Sequence, residues 1–539
     1  MGGYAETLLP GSAPPAVPTT AFLGFLALLW IILTREATPL RKIPGPFLAS
    51  ITRLWIVQKQ RSFQRPLVDI DLHKKYGPIV RIAPNEVLIS SPQAFRTVYG
   101  AGSNFRKGDW YIGTSACGWS GDDNLDFLNE QNVEKYRTQR RAVGPAYSEA
   151  SMKDLEPQID EVLEKDISIM RQRADCYSMT SFSKSKDLVE KNEVDGSIHA
   201  IHAAWKYMHV IGYFPLLHRA LTAVLHIASS GSTSIIHMIN TFFPFIERET
   251  RGAKTTSDNP FAFPILNVEA RFEARKSSSL DPKSQHVPND IAGKLFQLQA
   301  DKGVLKDHWV MNMVMTNFGA GVETTAIVVS TLINNIVSHP GCQEKVHAEL
   351  DKARKEGRIG KIPQLREMKE QLPYLNACLM ESMRMHSVVG MPLVRVVPEG
   401  GVELEGKWLP AGTTVGINPW VLCRDKFLYG EDADEWRPER WLEYSPDKLK
   451  YLGMLPYAMA ACFSSLTSTE TYSVSFGTGA RSCPGKYLAQ AVYTKMIPML
   501  FQDFEWSYTN PEAKKVLQCT FSVRYMKLMM QWKLREQTA

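Results

Sequence analysis

Apolar positions along the chain fall into patterns of different period. From Ala21 to Leu33 every residue except Gly24 is apolar. That run is shorter than the ~20 residues of a full membrane span, and Thr19, Thr20 and Thr34 can extend it. It predicts a transmembrane anchor over 19–34, after an N-terminal stretch (1–18) without Lys or Arg. Pro39, Pro44 and Pro46 then forbid a continuous helix and predict a stiff elbow over 35–50. Ile79-Val80-Arg81-Ile82 and Glu86-Val87-Leu88-Ile89, split by Ala83-Pro84-Asn85, read as a β-hairpin. Asn129 to Ala142 reads as a helix ending in Arg137, Arg140 and Arg141. Trp309 to Val337 is apolar nearly all round (Val310, Met313, Val314, Phe318, Ile327, Val328, Leu332, Ile336), as expected of a buried central helix. Leu375 to Met385 is a further helix, and Val402–Leu404, Trp408–Leu409 and Thr413–Ile417 read as hairpin strands. After the elbow, the main domain is expected over 51–539. Ala203–Ile211 and Phe214–Leu217 read as core packing or as the wall of a substrate path.

Composition narrows the class. A chain of 539 residues, 44% hydrophobic and 22% charged, has ample length for a large core. Its net charge of +6 is modest and no long basic run occurs, so nothing supports nucleic-acid binding. Eight cysteines are scattered singly with no C-x-x-C pair, against both a disulfide framework and a zinc site. No Asn-x-Ser/Thr acceptor is present, a hint that the main body does not face the secretory lumen. The first positive charges, Arg35, Arg41 and Lys42, follow the apolar run. By the positive-inside rule the C-terminal body is then cytosolic. A signal peptide or an apolar tail packed on the domain stands beside the uncleaved anchor.

The densest chemistry lies in Phe476-Gly477-Thr478-Gly479-Ala480-Arg481-Ser482-Cys483-Pro484-Gly485-Lys486. A cysteine ligates metal only as a thiolate, so its charge must be stabilised. Gly479 and Gly485, flanking Cys483, allow a tight turn that points N–H groups at the sulfur. Pro484 suits the first turn of a helix through Lys486–Gln490, whose positive end would face the thiolate. Arg481 can pair with an anionic cofactor group. Within the central helix, Gly319-Ala320-Gly321-Val322-Glu323-Thr324-Thr325 places a carboxylate and hydroxyls where they are costly unless used. Thr324 can bond back to the Ala320 carbonyl and loosen the helix. Glu381 and Arg384, at i and i+3, can pair on one helix face.

Phe476, Gly479, Arg481, Cys483 and Gly485 resemble the haem-thiolate loop of the cytochrome P450 superfamily. Gly319–Thr325 resembles its oxygen-activation helix, and Glu381/Arg384 with Trp436-Arg437-Pro438-Glu439-Arg440-Trp441 resembles its paired proximal motifs. The likeness covers roughly 35–535 and looks closest to fungal microsomal, pisatin-demethylase-like members. It implies a P450 fold, mostly α with a small β-rich region, behind an N-terminal anchor in the endoplasmic reticulum membrane, crossing once. It further implies haem b ligated by Cys483, with Arg481, Arg140 and Arg395 as propionate partners and Phe476, Gly479 and Gly485 shaping the loop. Thiolate ligation favours O–O cleavage. Glu323 and Thr324 would deliver protons, and Glu381, Arg384 and Arg440 would form a buried ionic cluster. The implied partners are an NADPH-dependent flavoprotein reductase and a hydrophobic secondary metabolite that is monooxygenated. Arg140 is open to a second reading as part of a solvated basic helix face, and Tyr136 stands where the family carries Trp or His. The short, polar 175–192 and the apparent insertion 453–472 depart from the pattern, the latter being a surface insertion or translated intron. A reductase-independent haem-thiolate isomerase or dehydratase is one alternative, and these two segments leave open another, an inactive product without haem.

Overall fold

The computed structural model describes residues 16–114, 125–172, 178–179, 205–216, 262–277, 289–303, 305–448, 476–477, 479–513 and 515–536. The 453–472 segment and all of 175–192 except 178–179 lie outside the described residues. The body is built on a central helix, Asp307–Ser338, packed against Pro373–Met385, Lys486–Asp503, Cys342–Lys355 and Ala262–Ser277. Its second half supplies Val329, Leu332, Ile333 and Ile336 to the main core, where they meet Leu375, Leu379, Ile497 and Leu500. The prediction of burial all round holds only for that half. From Thr316 to Ala326 the helix is partly open, and Ala320 and Gly321 are exposed. Small residues there leave room beside the backbone instead of filling it.

Burial of both faces explains the first hairpin. Strands β1 (Ile79–Ala83) and β2 (Glu86–Ile89) pair antiparallel and are buried throughout. They continue into a five-stranded sheet with β3 (Arg106–Lys107), β4 (Arg395–Val396) and β5 (Thr414–Gly416), in spatial order β1-β2-β5-β4-β3. Thr413–Ile417 was expected beside the Val402–Leu409 hairpin. Its strand instead lies parallel to β2, while Val402–Leu404 and Lys407–Leu409 close on themselves through Glu405 and Gly406 at φ 53° and 65°. The helix expected from Asn129 starts at Val133. Asn132 caps it, its side chain accepting from the Glu134 and Lys135 N–H groups at 3.0 Å each. Upstream, the Asp126 carboxylate accepts from the Leu128 N–H at 2.7 Å and holds the chain in a turn.

The N-terminal apolar run forms the helix Ala16–Ile31, which continues through a π-turn over Ile32–Glu36. Phe22, Leu23, Phe25, Leu28 and Trp30 are all exposed. Buried Arg81 on β1 grips its C-terminal end, donating to the carbonyls of Thr34 at 2.6 Å, Arg35 at 3.4 Å and Pro84 at 2.7 Å. Trp30 Nε1 donates to the Ile51 carbonyl and Arg35 to Ser50 Oγ, so the elbow is fixed to the body. Among the described residues the helix long and apolar enough to cross a membrane is the central one, and half of that stretch is buried in the protein.

Three histidines sit where charge is costly. Burial pushes His209, His347 and His386 down to about 4. The unfolded chain therefore binds more protons than the folded one between about pH 6.5 and pH 4, and stability is lost as pH falls through that window. The urea midpoint is expected to drop from pH 7 to pH 5.5. A constant midpoint would contradict the buried neutral histidines.

Candidate active site

The cysteine loop is closed by a backbone hydrogen bond from the Cys483 N–H to the Phe476 carbonyl at 2.6 Å. The tight turn is made by Gly477 and Gly479, at φ 70° and 58°. A Cβ at Gly479 would also lie 3.0 Å from the Tyr99 carbonyl oxygen, so the loop packs against that turn only without a side chain. Gly485 has φ −75°, which any residue adopts, and it caps the helix Lys486–Asp503. The turn therefore does not need glycine's backbone freedom at Gly485, a correction, while its N–H points at the Cys483 sulfur as expected. Pro484 lies in the turn before the helix, not in its first turn.

Cys483 keeps an open face although protein crowds it. A sulfur on the wall of an internal chamber has both properties. Crowding raises its thiol above the ordinary range, and the Gly485 N–H and Arg140 pull in the opposite direction.

Around this loop the structure gathers cations. Arg481 Nη1 donates to the Glu130 carbonyl at 2.6 Å, and the guanidinium lies 3.8 Å from the centre of the Tyr136 ring. Arg395, on β4, donates to the Val394 carbonyl at 2.9 Å and lies over Tyr99 at 4.9 Å. Both arginines line one cavity with Tyr99, Tyr136, Gly477 and Ala480. Buried Lys107 donates to the carbonyls of Phe127 and Leu128 at 2.8 and 2.7 Å. Burial, then Arg395 and Arg481, holds its ammonium well below the usual range. Burial and the Arg395 charge likewise lower Arg481 to about 10. Arg481 Nη2 and Arg140 Nη1 are buried without a hydrogen-bond acceptor. Unpartnered guanidinium N–H groups inside a cationic wall call for an anion with several oxygens. The propionates of haem fit that requirement, and an open-faced sulfur fits its iron. Tyr136 forms the floor under Arg481 and meets Phe127 edge-on at 5.2 Å.

The central helix is linked to this region through Tyr147. Tyr147 accepts from Asn317 Nδ2 at 2.6 Å and lies within electrostatic reach of Arg140 and Cys483. Thr324 Oγ1 donates to the Ala320 carbonyl at 2.8 Å, the back-bond expected from the sequence. Glu323 accepts from Arg524 Nη1 at 2.8 Å.

Residues 44–533 match the family model described as Cytochrome P450. The chain belongs to the cytochrome P450 family. It is 29% identical to the cytochrome P450 monooxygenase sdnT of Sordaria araneosa, with 90% of each chain covered. It is 28% identical to the monooxygenase gsfF of Penicillium aethiopicum, over 91% of this chain and 92% of that one. It is also 27% identical to a pisatin demethylase of Fusarium vanettenii, over 91% and 92%. Its named relatives are fungal P450 monooxygenases, and this P450 is of that enzyme class.

In this P450 Glu381, Arg384 and Arg440 come together with no exposed surface. Arg384 meets Glu381 through Nε at 2.9 Å and Nη2 at 2.7 Å, and Arg440 Nε reaches Glu381 Oε1 at 2.9 Å. Trp441 Nε1 donates to Glu381 Oε2 at 2.9 Å. The remaining arginine N–H groups bond the carbonyls of Cys423, Tyr429, Asp432, Ala433 and Glu435. The cluster thus sews 423–441 onto the helix Pro373–Met385. Lys107, Tyr99 and Arg524 were missed by sequence reasoning. A lysine in a two-residue strand carries no local signal, and Arg524 meets Glu323 across 201 positions.

Two substitutions test this geometry. Arg384→Met is expected to cost roughly 3–5 kcal/mol by breaking the buried pair with Glu381 and leaving the Cys423 and Ala433 carbonyls without their donor, read as a lower denaturant midpoint. Gly479→Ala forces a left-handed alanine, about 1–2 kcal/mol, and should lower haem retention on gel filtration. Wild-type behaviour in either variant would contradict the corresponding constraint.

Proposed function

We propose that this P450 inserts one oxygen atom of O₂ into a hydrophobic small molecule in fungal secondary metabolism. The reading rests on Cys483, open-faced, and on the nearby half-buried Arg481 and Arg140, each with a buried N–H group that has no acceptor. Cys483 would ligate the iron of haem b, and Arg481, Arg395 and Arg140 would hold its carboxylates. Phe476, Gly479 and Gly485 keep the sulfur in place. Haem iron with a thiolate ligand supplies the O₂-cleaving chemistry.

The chain's own part is positioning and proton handling. The Thr324 hydroxyl hydrogen is committed to the Ala320 carbonyl at rest, and rotation about χ1 frees it toward the open stretch of the helix. Glu323 is the neighbouring acid that replenishes its proton. Glu381, Arg384 and Arg440 hold the proximal side together. Electrons come from NADPH through a flavoprotein reductase. The exposed apolar helix Ala16–Ile31, followed by Arg35, Arg41 and Lys42, supports a single-pass anchor in the endoplasmic reticulum membrane with the body cytosolic.

Cys483→Ser is expected to abolish the thiolate-type Soret shift of the reduced carbon monoxide complex while the chain still expresses. Retained shift or turnover would remove Cys483 from the site. Thr324→Ala should keep that shift but raise peroxide released per NADPH several-fold, and unchanged coupling would exclude Thr324 from proton delivery.

A further inference from the structure

Glu323 precedes Thr324 on a helix with 3.6 residues per turn, so the two side chains leave the axis about 100° apart. What Glu323 faces is therefore decided by a partner other than Thr324. That partner is Arg524, at 2.8 Å, with 12% and 10% of the arginine and glutamate side chains exposed. A pair this dehydrated holds its geometry better than a solvated surface pair.

The guanidinium is itself fixed from behind. Arg524 lies on the strand Val523–Met526, directly across from Gln518 on Val516–Cys519. Gln518 Oε1 accepts from Nε at 3.2 Å and from Nη2 at 2.7 Å. The hairpin is in turn docked on the body. Val523 N–H donates to the Val388 carbonyl and Cys519 N–H to the Phe63 carbonyl, each at 2.8 Å. It presses so closely on Gly390 that a Cβ there would collide with Val523 and Cys519. Its tip residue Phe521 stacks between Trp205, at 5.0 Å, and Trp110, at 5.9 Å. Glu323 is thus tied through Arg524 to a rigidly seated hairpin.

We propose that Arg524 is a positioning residue for proton delivery: it holds the Glu323 carboxylate in one rotamer beside the open stretch of the central helix, so that protons reach Thr324 by a single route. The proposal rests on the reading in which Glu323 and Thr324 handle protons. Without the clamp, Glu323 samples several rotamers, and proton supply to Thr324 slows.

The test uses full-length protein with haem and reductase, with O₂ as the probe and no organic substrate. Two electrons and two protons reduce O₂ to peroxide, and four of each reduce it to water, so slower proton supply raises the peroxide share. Arg524→Gln is expected to raise that share several-fold and Arg524→Lys to stay within about twofold of wild type. Arg524→Gln added to Glu323→Gln should change nothing further, because it acts through Glu323. In thermal unfolding, the losses of melting temperature from the two single variants should likewise fail to add. An unchanged peroxide share in Arg524→Gln, or effects that add in both measurements, would overturn the proposal. A missing thiolate-type shift in wild type, or unchanged coupling in Thr324→Ala, would instead sink the proposed function; the melting cycle would still report on the pair.

Discussion

The constraint on which the rest depends is a surplus of positive charge enclosed beside one sulfur. Burial, then Arg395 and Arg481, depresses Lys107; burial and the Arg395 charge lower Arg481; and two guanidinium N–H atoms nearby have no acceptor. A fold does not hold such a wall without compensation. Part comes from aromatic faces, with Tyr99, Tyr111 and Tyr136 beneath the three cations. Part comes from carbonyls of the turn over 127–130. The remainder is left for an anion, and that is why the site reads as a receptor for a carboxylate-bearing cofactor.

The surrounding architecture keeps that wall from relaxing. β3 and β4 pair with Lys107 opposite Arg395, so backbone hydrogen bonds hold two like charges side by side. The Glu381 network does the reverse, placing one carboxylate between two arginines and using almost every N–H to bond carbonyls. One region stores unmet electrostatic demand, and the other is saturated. The first suits binding and the second suits rigidity.

Much of this was legible in the sequence where chemistry is local. The cysteine loop, the Thr324 back-bond, the i,i+3 pair of Glu381 and Arg384 and the first hairpin all depend on residues near one another in the chain. The family likeness brought Arg440 to that pair across 59 positions. What stayed hidden depends on distant partners: Arg524 on Glu323, the parallel pairing of Thr414–Gly416 with β2, and Arg481 stacked on Tyr136. Gly485 was misread because glycine allows left-handed backbone without requiring it. The start of the Val133 helix was missed because the three residues before its cap Asn132, namely Asn129, Glu130 and Gln131, extend the helical pattern upstream.

Arg81 bonds the end of the N-terminal helix only through backbone carbonyls. Every residue type presents the same carbonyl, so side chains before Trp30 can be exchanged without altering the angle at which the helix leaves the body. Composition of the rod and its bearing are thereby uncoupled: the first can drift to match its surroundings, while the second is inherited from the Arg81 guanidinium and from Trp30 and Arg35 where the rod meets the body.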